Sequence, residues 1–122
     1  MKLKAYNKFC GGLPYTTSVV QWGEATVWKI GGKVFAIGRE EDGDMVCSFK
    51  VSDMSFDILK EQPGCRGAPH LASRGMKWIQ RYNADTLSDD DLKAYLEGSY
   101  QLVAAGLTKR LQRELGFLKD GK

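Results

Sequence analysis

Apolar and polar positions change period along this chain, and the changes mark its elements. Between residues 1 and 10, Leu3, Tyr6 and Cys10 recur at spacings of three and four with Phe9 beside them, predicting a short helix closed by Gly11, Gly12 and Pro14. From Thr16 to Ser52 the period falls to two. TTSVVQW, ATVWKI, KVFAIG and MVCSFKV are β-branched and aromatic runs separated by Gly23, by Gly31-Gly32 and by EEDGD, and they read as a meander of four strands. Gly31-Gly32 predicts a two-residue hairpin, whose central positions need positive φ. That turn sets Trp28 opposite Phe35 and Thr26 opposite Ile37 on one face, leaving Val27, Lys29, Val34 and Ala36 on the other. The first face is bulkier, which suits a sheet with helices on its Trp28/Phe35 side and a partly wet second side.

In SDMSFDILKEQ the spacing of Met54 with Ile58 and Phe56 with Leu59, behind a cap at Ser52 or Asp53, predicts a short helix ending at Pro63-Gly64. CRGAPHLASRG reads as an irregular loop. MKWIQRY then alternates Met76, Trp78 and Gln80 against Lys77, Ile79 and Arg81, a fifth strand. Ser88 with Asp91 forms a capping-box pattern inside the acidic run Asp89 to Asp91. Leu92, Tyr95, Leu96, Ser99, Tyr100, Val103 and Leu107 follow as the apolar stripe of a long helix running through Gly98 and Gly106. A basic helix, TKRLQRELG, keeps Leu111 and Leu115 on one side and stops at Gly116.

The 122 residues suit one domain spanning 1–122. With 43% hydrophobic and 27% charged residues, the chain is neither low-complexity nor disordered by composition. There is no apolar run of about 18 residues and no secretory signal pattern in MKLKAYNKFC, so no membrane association and a cytoplasmic location are expected. Cys10, Cys47 and Cys65 are sparse and odd in number, as in a reducing compartment. With His70 the single histidine and no Cys-x-x-Cys, the usual zinc spacings are absent.

No catalytic signature stands out. Gly31-Gly32-Lys33 lacks the spacing and the Ser/Thr of a phosphate-binding loop. Cys65 and His70 share a loop and form the one thiol-and-base combination, a lesser reading as a thiol-dependent enzyme, since nothing in GCRGAPHL would orient the base. Helix capping accounts for Asp89 to Asp91, and Glu40, Glu41, Asp42 and Asp44 surround a turn without the ligand pattern of a calcium loop. No cofactor or metal is expected.

Charge is informative once resolved along the sequence. The net value is +3, yet residues 63–84 hold Arg66, Arg74, Lys77 and Arg81 with no acid, interleaved with His70, Trp78 and Tyr82, and Lys109, Arg110 and Arg113 form a second basic segment. Basic side chains among aromatics suit a surface that neutralises phosphates.

Three stretches together resemble the MmcQ/YjbR family of small bacterial proteins: LPYTTSVVQWGEATVWKIGGKVFAIG, then CSFKVSDMSFDILKEQPGCRGAPHLA, then KWIQ followed by LSDDDLKAYLEGSYQLVAAGLTKRL. They cover nearly the whole chain in order; the short sequence before Phe9 is the departure, and it shortens the first helix. The resemblance implies an α+β fold similar to CyaY, an antiparallel meander of four to five strands backed by N- and C-terminal helices, in a "double wing" arrangement of the kind suggested to bind DNA. It carries no reaction or cofactor. Iron binding, which a likeness to CyaY raises, would need an acidic ridge, and the first helix here is basic. The leading expectation is therefore a monomer or weak homodimer that binds DNA without catalysis, using Arg66, His70, Arg74, Lys77, Arg81, Lys109, Arg110 and Arg113, with Lys29 and Lys33 of the hairpin. The alternative is a protein-interaction or accessory module that uses the sheet face or the 63–75 loop, favoured by a free sheet edge or an exposed Trp22 or Trp78.

Overall fold

The period-two runs of the first half form a meander, as a computed structural model describing residues 1–21 and 23–117 makes clear. Helix α1 (Leu3–Gly11) leads into β1 (Thr16–Gln21), β2 (Ala25–Ile30), β3 (Lys33–Glu41) and β4 (Asp44–Lys50). Helix α2 (Asp53–Leu59), short strands β5 (Cys65–Gly67) and β6 (Trp78–Arg81), helix α3 (Asp89–Ala105) and helix α4 (Lys109–Glu114) complete the chain. The fold is α+β. The sheet has six antiparallel strands in the order β1-β2-β3-β4-β6-β5, so β6 docks beside β4 and β5 lies outermost. That is one strand more than the alternation implies, because Cys65–Gly67, read as loop, pairs with β6 over only three residues. A stretch that short has no period to detect.

The caps expected at Ser52 and at Ser88 form: Ser52 accepts from the Ser55 amide, and Ser88 and Asp91 complete a reciprocal capping box at the start of α3. Thr108 caps α4 as well, accepting from the Leu111 amide. Helices α1 and α3 lay their apolar stripes on one face of the sheet. There Tyr6, Cys10, Leu92, Leu96 and Tyr100 bury Ile30, Phe35, Cys47, Phe49 and Ile79.

The β2–β3 pairing departs from the simple hairpin register. Ile30 pairs with Lys33 and Lys29 with Val34, as the turn requires, but Trp28 then faces Ala36 and Thr26 faces Gly38. Phe35 is thus an extra residue, a β-bulge that lets its ring reach α3, where it meets Tyr100 edge-on at 5.5 Å. Beyond the bulge every side chain of β3 swaps faces relative to the expectation. Ala36 and Gly38 join Trp28 and Thr26 under the helices, and Ile37 turns to the opposite face with Val27.

Ser99 ties α3 to this irregularity. Its hydroxyl donates to the Phe35 carbonyl at 2.5 Å and accepts from the Lys50 amide at 2.8 Å, giving partners to two backbone groups on neighbouring strands. The residue is fully buried. Its neighbour Gly98 faces open space, and a methyl group there would meet nothing. Adjacent substitutions should therefore move stability in opposite directions. Ser99→Ala, which orphans both backbone groups, is expected to destabilise by about 1–3 kcal/mol. Gly98→Ala, in an unstrained helix interior, should stabilise by roughly 0.5–1 kcal/mol. Urea unfolding of the two variants measures both.

Candidate nucleic-acid interface

Because the strands are antiparallel, the sheet has two ends, and they differ in charge. One end carries the β3–β4 turn with Glu40, Glu41, Asp42 and Asp44; α3 also begins there, since the Met1 ammonium donates to Asp44 at 2.8 Å and to Asp89 at 3.1 Å. The opposite end carries the Gly31-Gly32 turn, flanked by Lys29 and Lys33, with Lys50 where β4 finishes. Helix α4 docks beneath that turn. A side chain at Gly31 would run into Leu107 and Leu111 within 3 Å, and its φ of 59° independently requires glycine. Lys109, Arg110 and Arg113 thereby join the hairpin lysines, with Arg110 partnered by Glu114 at 3.2 Å. Acids are present toward this end too, Glu114 of α4 and Asp53 in the first turn of α2, which follows β4.

The acid-free stretch 63–84 is divided by the fold. Arg81 is lost to the surface: it is 1% exposed on the helical face, paired across the strands with Cys47 and Cys65. Its Nε donates to the Leu87 carbonyl and its terminal nitrogen to Asp89, each at 3.0 Å. The expectation that Arg81 meets phosphate is corrected, because alternation of β6 turns it inward with Ile79 and a guanidinium there must keep these partners. Arg66 lies at the acidic end. Its Nε donates to Gln80 Oε1 at 2.8 Å, it stacks 5.0 Å over Tyr82, and it shares a shallow concavity with Glu41, Asp42 and Asp44. His70, in a left-handed conformation at φ 69°, lines with Arg39, Arg66 and Ser48 a cleft of about 320 Å³ on the helix-free face. Arg74 and Lys77 belong to the segment toward the basic end, Lys77 resting 4.9 Å over the Phe56 ring.

That segment covers the second face of the sheet more fully than expected. Val27 and Trp78 are buried there, and Val46 and Ser48 are nearly so. A larger cleft of about 450 Å³ opens at the basic end, with Lys33, Lys50 and Trp78 among its walls. Lys50 escaped the sequence reading, although alternation in MVCSFKV puts it on one face with Val46 and Ser48. Of the features that would favour the interaction-module reading, an exposed Trp78 is not found, since it is buried, and Trp22 lies outside the described residues.

The profile of the YjbR family matches residues 11–102. The chain belongs to the YjbR family. An uncharacterized protein YbdF of Escherichia coli O157:H7 is 32% identical over 94 residues, which span 75% of each chain. Among solved structures, the Deinococcus radiodurans protein DR2400, described as a DUF419 domain, superposes with a TM-score of 0.81 at 25% identity, covering 99% of this chain and 91% of its own. A Pseudomonas syringae protein gives a TM-score of 0.65 at 18% identity over 84% of this chain and 98% of its own, a likeness of fold. The YjbR match takes in the sheet and most of α3 and leaves α4, with its three cations, beyond it.

The YjbR sheet also separates the two groups of the thiol reading. Cys65 pairs with Arg81 and packs in the helical core, whereas His70 lines the cleft on the other face. Burial pushes the Cys65 thiol up, only partly opposed by Arg81, and pushes Cys10 up to about 12. All three cysteines are buried. Iodoacetamide at pH 7 should leave the native protein unlabelled and modify all three thiols in urea; rapid labelling of Cys65 alone would revive a thiol mechanism.

Asp44 and Asp89 create a pH dependence. Hydrogen bonds from the Met1 ammonium, joined by the Met45 amide at Asp44 and by Arg81 at Asp89, hold both carboxyls below the ordinary aspartate value. Burial alone would lower the ammonium, but the two carboxylates outweigh it and hold it above 8.0. The carboxylates stabilise the fold fully above the unfolded aspartate value of about 3.9, and that contribution is lost as pH falls through their lowered folded values. The ammonium contribution is present below its unfolded value and is lost as pH rises through its raised one. Asp89→Asn should be less stable at neutral pH and show a shallower loss of stability on acidification, read from thermal unfolding across an acid pH series.

Proposed function

We propose that the protein binds nucleic acid, DNA in the first instance, through the end of the sheet that carries the Gly31-Gly32 turn. The observation that supports this reading is the separation of charge along the strand axis. Lys29, Lys33, Lys50 and the cations of α4 gather at one end, while Glu40 to Asp44 and the start of α3 hold the acids at the other. A phosphate backbone is drawn to the first end and repelled by the second, so the acidic β3–β4 turn faces away from the duplex. Arg74 and Lys77 flank the contact; Arg66 and His70, nearer the acids, stand apart from it. Arg81 takes no part. The side chains available are lysines and arginines on turns and a short helix, which suits backbone contact without base readout.

The free outer edge of β1 favours a second reading, a protein-interaction module that accepts a strand from a partner. Val19 and Val20 are exposed on it and no strand pairs with its outer side among the described residues.

Fluorescence anisotropy with a labelled duplex of about 20 base pairs, across a salt series, separates the two. The expected affinity falls steeply with salt, and Lys33→Gln or Lys109→Gln each reduces the slope of log K against log salt by about 0.9. Arg39→Gln, at the acidic end beside Glu41, should change neither. Binding that ignores salt and both lysine variants would overturn the reading and leave the β1 edge as the better one.

A further inference from the structure

The basic end holds more than charge. Where β3 begins, β4 finishes and β6 begins, a cleft of about 450 Å³ enters between the 71–76 segment and the last turns of α3. Its walls are apolar, supplied by Val34, Ile37 and Trp78 from the sheet, Leu71 and Met76 from the covering segment, and Leu102 from the helix. Two of these leave apolar surface in water at the lip: Met76 is 43% exposed and Leu102 41%. Lys33 and Lys50 supply the charge among the lining residues, which include no carboxylate.

This combination differs from what a phosphodiester chain uses. A polyanion needs the lysines and gains nothing from an apolar floor, whereas an apolar floor with two lysines among its lining residues suits a molecule with one anionic head and a hydrophobic body. The volume lies within the range of small-molecule sites, roughly 300–1,000 Å³. At about 30 Å³ per water displaced, it accommodates on the order of a dozen non-hydrogen atoms. Lysines present point charges without the planar fork of arginine, so they hold a small carboxylate head without demanding one orientation.

We infer that this cleft is a binding site for a hydrophobic monocarboxylate, a medium-chain or aromatic acid whose body lies against Ile37, Trp78 and Leu102 and whose carboxylate meets Lys33 and Lys50. The site stands independently of nucleic-acid binding. It also explains a feature that DNA contact leaves idle, the second face of the sheet being covered at its centre and open at this end.

Decanoate, kept below its micellar concentration and titrated into ¹⁵N-labelled protein without nucleic acid, tests the inference. The indole N–H signal of Trp78 should shift saturably, while that of Trp28 stays still, because its Nε1 donates to Asn7 Oδ1 on the helical face. Lys33→Gln and Lys50→Gln should each weaken binding roughly three- to tenfold. Leu102→Glu, at an exposed position that leaves the core intact, should abolish it, with an unmoved Trp28 signal reporting that the fold is kept. Decanol, with the same chain and no charge, should bind more weakly than decanoate. No Trp78 shift at millimolar decanoate, equal affinity for decanol, or Trp28 moving as much as Trp78 would each overturn the site. A protein that binds decanoate but ignores duplex DNA would keep this inference and sink the preceding one.

Discussion

Ser99 spans two strands with one hydroxyl, and the layout of the sheet past Phe35 depends on that contact. A bulge leaves backbone groups out of register, and buried groups without partners are costly, so the extra residue in β3 is tolerable because α3 delivers a hydroxyl that donates to the Phe35 carbonyl and accepts from the Lys50 amide. Everything downstream follows from the resulting swap of faces. Gly38 comes to lie under Tyr6 and Met45, where a side chain would have no room, and Ile37 leaves the helical core to become the common wall of both clefts. A one-residue change in register would return Ile37 to the core and present small residues to the second face.

The elements with sustained periods were legible in the sequence. The four-strand meander, the helices at either end and the caps at Ser52 and Ser88 follow from spacing and from side chains with one local job. The bulge was hidden because a hairpin register is inferred outward from its turn, and the reason for breaking it sits on α3, 64 residues away at Ser99. Strand β5 was hidden for a related reason: three residues become a strand because β6 offers them an edge, a tertiary fact with no local signature.

The basic surface was legible as a quantity and not as a place. Residues 63–84 carry no acid, yet folding sends Arg81 inward, Arg66 toward Glu41 and Asp44, and only Arg74 and Lys77 toward the hairpin. Lys50, from a segment of unremarkable charge, joins Lys33 instead. Alternation in β6 already placed Arg81 opposite Trp78 in orientation. What sequence could not say was which of those two faces belongs to the core, and here both sides of the sheet are largely covered.

The opposed charges of the two sheet ends have a kinetic side. A net charge of +3 describes attraction at a distance, but separated charges also exert a torque, turning the molecule as an anionic partner approaches. For the proposed binding, that torque would favour approach by the basic end within about one Debye length, roughly 8–10 Å at ordinary ionic strength. In the proposed complex the Gly31-Gly32 turn would be the leading edge of an oriented collision, with Leu107 and Leu111 packed behind it.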